Sequence, residues 1–258
     1  MLKIGIIGGS GLDDPGFFKN PDILDIDTDY GKPSSLLLSG TIDDVETVIL
    51  SRHGTKHQYC PTQVNNRANI KALQKAGVTH IIATTACGSL KEEIGRGHLV
   101  ILDQFIDFTR FRKTTFVESF ENGVIHPAMP HPFDDNLRSI LYKTAKYLNL
   151  NVHEKGCVMT IEGPRLSTAA ESKMFQILGA DVINMSTAPE AMLANEVDIP
   201  YAAVAMSTDY DSWKEDEEPV TWDEILKVFN KNADNVKSLL VNVIKELKEL
   251  QEHGIKLN

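Results

Sequence analysis

Cysteine is scarce in this chain: Cys60, Cys87 and Cys157 are the only three in 258 residues. They are odd in number, far apart and in no C-x-x-C pattern. That excludes a disulfide framework and leaves a zinc site without its ligand spacing. A reducing cytosol is the expected compartment. Basic residues are also in deficit, 26 against 36 acidic ones, for a formal charge of −10. Non-specific nucleic-acid binding needs a basic surface, so an anion site has to be built locally here. Long hydrophobic runs are missing, and no stretch is long enough to cross a bilayer. The first residues lead directly into an apolar strand, so no secretory leader is expected.

Several signature motifs fall short. After Gly9-x-Gly11 the third glycine of a dinucleotide loop would stand at position 14, which is Asp14. No Walker-type phosphate loop is present, and Thr84-Thr85-Ala86-Cys87-Gly88-Ser89 lacks the G-x-S-x-G spacing of a hydrolase elbow. Cys87 has no adjacent base and reads as an inert buried thiol. His53 and His57 stand four apart, but the interval carries no helix signal and no metalloprotease glutamate, so no metal is expected. The chain shows no internal repeat, low-complexity segment or linker.

What is there is an alternation of short apolar runs and amphipathic stretches. Lys3 to Ile7, Ser35 to Leu38, Glu46 to Leu50, His80 to Ala83, Leu99 to Leu102, Gly156 to Ile161, Val182–Ile183 and Tyr201 to Met206 read as strands. Val64 to Lys75, Leu137 to Leu148 and the segments after Thr168 and Thr221 read as helices, the last two opened by capping boxes. In the final helix Ile225, Phe229, Ala233, Val236, Leu240, Ile244 and Leu247 recur at steps of three and four. Asp13 to Asp29 is rich in turns, and Thr109 to Phe133 is a long irregular excursion of the kind that is usually functional. The expected architecture is α/β: a central mixed sheet flanked by helices, in one domain over residues 1–258.

Many of these strands end in small, hydroxyl-rich or charged residues, as they would around one site at the carboxyl ends of a sheet. Val182 to Glu190 is such a junction. Thr187-Ala188-Pro189-Glu190 fits a capping box, and the helix N-terminus with the Ser186 and Thr187 hydroxyls suits an anion. Met185 adds an apolar surface. Arg52 follows a strand directly and has the shape to grip phosphate. Ser10 and the donors of Thr84 to Ser89 fit the same ligand. Asp209 and Asp211 stand two apart and would face one side, either as plain turn carboxylates or with one held protonated to act as an acid.

Taken in order, Ile6-Ile7-Gly8-Gly9-Ser10-Gly11-Leu12, Arg52-His53-Gly54, Thr84 to Ser89, Glu162-Gly163-Pro164-Arg165, Asn184-Met185-Ser186 and Thr208-Asp209-Tyr210-Asp211 resemble the purine nucleoside phosphorylases of the trimeric type. The resemblance covers Lys3 to about Leu240. It implies that Ser10, Arg52, His53, Thr85, Ala86 and Ser186 hold phosphate, with Met185 against the ribose. It implies that Asp209 and Asp211 hold the purine, with Tyr210 among the substrate contacts and Asp209 as the catalytic acid. Leu166, Val220 and Trp222 would line the base pocket. His57 and His126 would approach the 5' end, His126 from a neighbouring subunit of a trimer or hexamer. Relatives that take 6-oxopurines carry glutamate and asparagine where this chain has Ser167 and Asp209, so a 6-aminopurine is expected.

The implied reaction is phosphorolysis of S-methyl-5'-thioadenosine to adenine and 5-methylthioribose 1-phosphate. Inorganic phosphate is the co-substrate, and no cofactor, metal, nucleic acid or membrane partner is expected. A broader action on adenosine or other purine nucleosides is the alternative among enzymes. A nucleoside-binding protein without catalysis is the alternative from another class, and would be marked by an altered phosphate set. The chain departs from the family twice: Asn66 stands where the family usually has tyrosine, and the chain stops at Asn258 without the C-terminal extension that closes the 5' pocket in longer relatives.

Overall fold

The computed structural model describes residues 1–8, 18–121, 123–216 and 221–255, leaving aside the Trp222 side chain. Ser10 and Val220 thus lie outside the described residues. Eleven strands form one sheet: β1 (Lys3–Gly8), β2 (Lys19–Leu24), β3 (Leu37–Ile42), β4 (Val45–Ser51), β5 (His80–Ser89), β6 (Leu99–Ile101), β7 (Gln104–Phe108), β8 (Val152–His153), β9 (Cys157–Ile161), β10 (Val182–Asn184) and β11 (Tyr201–Tyr210). Among the described residues five α-helices accompany them: α1 (Asn66–Lys75), α2 (Asp135–Tyr147), α3 (Ala169–Ile177), α4 (Thr187–Glu196) and α5 (Trp222–Glu252).

The sheet is mixed, as its sequence pattern suggests, and it branches at β5. One path runs β2-β3-β4-β1-β5-β10-β9-β7, while β11 pairs the other edge of β5 and continues to β6 and β8. β1 runs parallel to the first half of β5, from Ile4 opposite His80 to Ile7 opposite Ala83. β10 joins antiparallel only at the far end, with Ile183 opposite Gly88 and Val182 opposite Ser89. Between Ala83 and Gly88, therefore, that edge of β5 has no strand beside it among the described residues. Ligands in open α/β sheets bind in such crevices, where neighbouring strands diverge.

Successive side chains of a strand point to opposite faces, and this sets the two cores. Ile4, Ile6, Ile82, Ala202, Val204 and Met206 pack on one face against α2 and α5, which add Leu137, Leu141, Phe229, Val236, Leu240 and Ile244. Ile7, Ile81, Ala83, Tyr201, Ala203 and Ala205 pack on the other against α1 and α4, with Ile70, Leu73, Ala191 and Leu193. A third cluster around Leu90, Met159, Ile161, Phe175 and Ile183 lies under α3. Both faces are covered, which is why the central strands read as unbroken apolar runs.

Three expectations need correction. Thr84 to Ser89 is the second half of β5 and not a turn, because β11 pairs it residue by residue up to Tyr210 opposite Ser89. Ser207 to Tyr210 likewise belongs to a strand, with a bulge between Ser207 and Asp209. The turn-rich Asp13 to Asp29 contains an edge strand, β2, whose mostly exposed side chains gave no apolar signal.

The α5 stripe gives a direct test of the packing. Leu240 is fully buried between α5 and the sheet. Leu240→Ala is expected to lower the free energy of unfolding by about 2–5 kcal/mol, read by urea denaturation at fixed protein concentration.

Candidate active site

A cavity of about 520 Å3 opens at the branch in the sheet, within the size range of small-molecule sites. It gathers residues from eight stretches of chain. Arg52 and His53 follow β4; Thr85, Ala86, Cys87 and Gly88 come from β5; Ile183 to Ser186 bridge β10 and α4; Thr208, Asp209 and Asp211 come from the end of β11. Tyr59, Cys60 and Pro61 form one wall, Leu166 and Ser167 another, and Ile225, Leu226 and Phe229 of α5 a third.

Arg52 anchors the site. Only 2% of its side chain is exposed, and it makes a two-pronged pair with Glu190, itself wholly buried. Nε donates to Oε1 and Nη2 to Oε2, the latter at 3.1 Å. Nη1 donates to the Thr84 carbonyl at 2.8 Å, filling one backbone acceptor on the open edge of β5. Tyr201 donates its hydroxyl to Glu190 Oε2 at 2.7 Å. Burial holds that phenol well above its ordinary pKa, so it stays a donor. Guanidinium has five N–H groups, and three are engaged here. Among the described residues no partner takes the other two.

This pairing also explains why the expected capping box at Thr187 to Glu190 does not form. Glu190 is turned to Arg52, and the N-cap of α4 is Ser186, without a side-chain cap bond. The Ala188 N–H is met instead by the Thr160 hydroxyl of β9 at 3.3 Å. Asn184 completes the junction: its Oδ1 accepts from Thr160 at 2.9 Å and its Nδ2 donates to Thr187 at 2.9 Å. The Ser186 and Thr85 hydroxyls lie 3.2 Å apart, one from α4 and one from β5. Both are buried within the cavity wall.

The bulge in β11 shapes the opposite wall. A bulge breaks the alternation of a strand and re-aims its side chains. Thr208 and Asp209 consequently line the cavity in succession, and Asp211 follows two residues on. The Thr208 hydroxyl lies 2.7 Å from Asp209 Oδ1. Opposite them stands Gly88, where an added Cβ would come within 3.1 Å of Asp209 Oδ2 and of the Ile183 side chain. Both aspartates are buried, Asp209 at 5% and Asp211 at 6% exposure. Burial raises the pKa of Asp211, opposed by the Ser172 and Ser167 hydroxyls beside it. Cys87 is buried and its thiol is pushed well above the usual range, so it is inert as expected.

Met185 is held from behind. Arg112, on the Thr109 to Phe133 excursion, donates from Nη1 to the Met185 carbonyl at 2.9 Å and from Nε to Glu162 at 2.9 Å. Glu162 also accepts from the Arg110 and Phe111 N–H groups and from Thr62. Desolvation works against its charge, but these donors prevail and hold its pKa down at about 2. Gly163 passes so close to Met185 that an added Cβ would collide with the sulfur, and its φ of +64° favours glycine in any case.

Not every expected residue belongs here. Tyr210 does not line the cavity, because it alternates with Asp209 and Asp211; its hydroxyl bonds the Glu92 carbonyl and its ring meets Lys214 and Trp213. His126, expected to act on a neighbouring subunit, is exposed on the excursion, edge-on to Phe120, and does not line the cavity of its own chain. Leu166, Ser167, His53 and His57 do line it. Ser10 and the Trp222 side chain lie outside what is described. The sequence pattern gives Glu190 only a capping role and misses its pairing with Arg52, although a carboxylate amid Ala191, Leu193 and Ala194 on a helix with no polar face is a signal. Among the described residues no group of three or more His, Cys, Asp or Glu could hold a metal ion.

Residues 3–245 match the profile of the phosphorylase superfamily, and the chain belongs to that family. Within it the similarity narrows to one activity. The chain is 51% identical to the S-methyl-5'-thioadenosine phosphorylase of Xenopus tropicalis over 250 residues, covering 95% of this chain and 89% of the relative. Its fold is similar to the methylthioadenosine phosphorylase of Schistosoma mansoni in complex with adenine, with a TM-score of 0.92, 40% identity, and 96% and 93% of the two chains covered. A variant of the adenosine/methylthioadenosine phosphorylase from the same organism, in complex with methylthioadenosine, superposes with a TM-score of 0.91 at 39% identity, over 96% of this chain and 92% of that one.

Two measurements test the geometry. Glu190→Ala leaves a buried guanidinium without its counter-charge and is expected to cost about 3–5 kcal/mol of stability. Replacing the network together, as Arg52→Met, Glu190→Met and Tyr201→Phe, is expected to recover most of that loss in urea denaturation. His53 provides a pH test, since burial and then Arg52 lower its pKa from 6.5 to about 4. The unfolded chain takes up this proton first, so the contribution of neutral His53 is present above pH 6.5 and is lost as pH falls toward about 4. His53→Gln is expected to flatten the stability profile across that window.

Proposed function

We propose that this chain catalyses phosphorolysis of S-methyl-5'-thioadenosine, giving adenine and 5-methylthioribose 1-phosphate. The observation that carries the reading is the division of one cavity between two groups of polar residues: Arg52, Thr85 and Ser186 as anion donors, and Asp209, Asp211 and Ser167 as partners for a base. Thr85 and Gly88 are three residues apart on β5, roughly 10 Å at the rise of a strand. That span leaves room for a sugar between the anion and the base.

In this reading phosphate takes the two remaining N–H groups of Arg52, the Thr85 and Ser186 hydroxyls, the Ala86 backbone N–H and His53; Ser10, which the family resemblance adds, lies outside the described residues. Met185 packs against the ribose, and Leu166 with Ile161 and Ile183 holds the purine. A phosphate oxygen attacks the sugar carbon that carries the base, and the bond to the base nitrogen breaks as positive charge builds on the sugar. The bound anion stabilises that charge. Asp209, protonated, gives its proton to the departing purine, and adenine leaves neutral. Asp211 accepts from the exocyclic amine, which favours a 6-aminopurine over a 6-oxopurine. Inorganic phosphate is the co-substrate, and no step calls for a metal or organic cofactor.

The chain acts as a single phosphorylase domain of residues 1–258, in keeping with one sheet running through it, and works in the cytoplasm. It assembles with copies of itself as a trimer or hexamer. Phe111, Phe120, Val124 and Ile125 expose apolar side chains on the excursion, and His126 would reach a neighbour's cavity from there. A wider action on adenosine is the second reading, favoured by the similarity to a protein named for both nucleosides.

Adenine release from methylthioadenosine is expected to depend on phosphate; release undiminished in its absence would make the protein a hydrolase. Asp209→Asn is expected to lower turnover of 6-aminopurine nucleosides about a hundredfold or more, measured spectrophotometrically beside adenosine and inosine. Unchanged turnover would remove its role as acid.

A further inference from the structure

The protonation of His53 is fixed by its neighbours, and it constrains the anion that the site accepts. His53 and Tyr59 are joined by two hydrogen bonds. The Tyr59 N–H donates to the His53 carbonyl at 3.0 Å, and the His53 ring meets the Tyr59 carbonyl through Nδ1 at 2.9 Å. A carbonyl only accepts, so Nδ1 carries the hydrogen. The ring cannot turn over without breaking this bond. His57 stacks on it with centroids 4.6 Å apart, and Gly54 closes the turn with a φ of +78°, where an added Cβ would strike the Gln58 amide.

Nε2, at the far side of the ring, has no hydrogen-bond partner among the described residues, and His53 lines the cavity. It becomes a donor only in the doubly protonated imidazolium. The charged and titratable groups that face it are Arg52 from the end of β4, Arg112 from the excursion and His57 from its own loop, and all three oppose a second proton. Burial opposes it most, and the pKa is held at about 4. Near neutral pH this nitrogen offers a lone pair only.

We propose that His53 acts as a hydrogen-bond acceptor toward the bound anion, so that the site selects an oxyanion carrying a proton, hydrogenphosphate, over one carrying none, such as sulfate. The inference rests on the functional reading above and adds to it the direction of one hydrogen bond. The P–OH of hydrogenphosphate donates to Nε2, while its other oxygens accept from Arg52, Ala86 and the two hydroxyls. Sulfate has the same shape but would set an oxygen lone pair against the nitrogen lone pair. An acceptor facing an acceptor in a buried site leaves both without a partner, and specificity follows from that mismatch. Arsenate keeps a proton at neutral pH and is admitted on the same terms.

The test compares three anions on the intact protein near pH 7.5. Phosphate and arsenate are assayed as co-substrates for adenine release, and sulfate as an inhibitor competitive with phosphate. Sulfate is expected to bind roughly tenfold or more weakly than either. In His53→Gln the amide can turn an N–H toward an unprotonated oxygen, and the phosphate-to-sulfate ratio of affinities is expected to contract toward unity. Sulfate binding to the unaltered protein as tightly as phosphate would overturn the inference even if the variant did not fold. So would a ratio unchanged in a folded variant. Adenine release that needs neither phosphate nor arsenate would overturn the functional reading, and this inference with it.

Discussion

Arg52 and Glu190 are buried together, and the rest of the site is arranged around that fact. Taking two charges out of water costs several kcal/mol per ion even after relaxation, and a packed apolar pair would serve stability as well or better. What the ion pair supplies is position. Glu190 is fixed on α4, Tyr201 begins β11, Thr84 lies on β5 and Arg52 directly follows β4, so the ion pair ties three strands to the helix that covers them. With three of its N–H groups committed, the guanidinium cannot swing.

Backbone irregularities supply the other constraints. β5 is paired along one whole edge by β11, but on the other edge by β1 only at its start and by β10 only at its end. The gap leaves Thr85 and Ala86 facing a cavity. The bulge at Thr208 then turns two successive residues of β11 into the same space, which an even strand cannot do. Gly88 keeps that corner open for Asp209. Arg112 and Glu162 tie the irregular excursion to the Met185 carbonyl, so a segment without regular structure still holds a cavity residue in place.

Much of this was legible in the residues. The strands of the covered sheet announced themselves as apolar runs, and α5 by its three-and-four spacing, because burial there follows local periodicity. Arg52, Thr85, Ser186, Asp209 and Asp211 could be marked as one set because polar residues ended apolar runs. Where the reading failed, a tertiary partner decided the outcome. Thr84 to Ser89 looks like a turn in isolation and becomes strand because β11 runs beside it. Thr187 to Glu190 has the composition of a capping box, but Arg52 and Tyr201 compete for the glutamate and Thr160 takes over part of the cap. Tyr210 was grouped with its neighbours by adjacency in a motif, whereas alternation along the strand sends it to the opposite face. The partners of Thr84 to Ser89 and of Thr187 to Glu190 all lie more than ten residues away, beyond any local pattern, whereas the outward turn of Tyr210 follows from alternation alone.

The pairing of Arg52 has an electrostatic consequence for the proposed chemistry. A chain of net charge −10 binds its anion in a site whose arginine is already balanced by Glu190, beside an imidazole held neutral. The anion is therefore gripped by oriented N–H and O–H groups more than by net positive charge. Such dipoles fix its place while leaving much of its own charge uncompensated, and in a buried cavity that charge acts at short range. A sugar turning cationic in the transition state needs that negative charge beside it. A free guanidinium would bind phosphate more tightly and at the same time blunt its effect on the sugar. In the proposed reaction Glu190 would therefore act without touching substrate, by holding the arginine in place and offsetting the charge that would otherwise compete with the reaction.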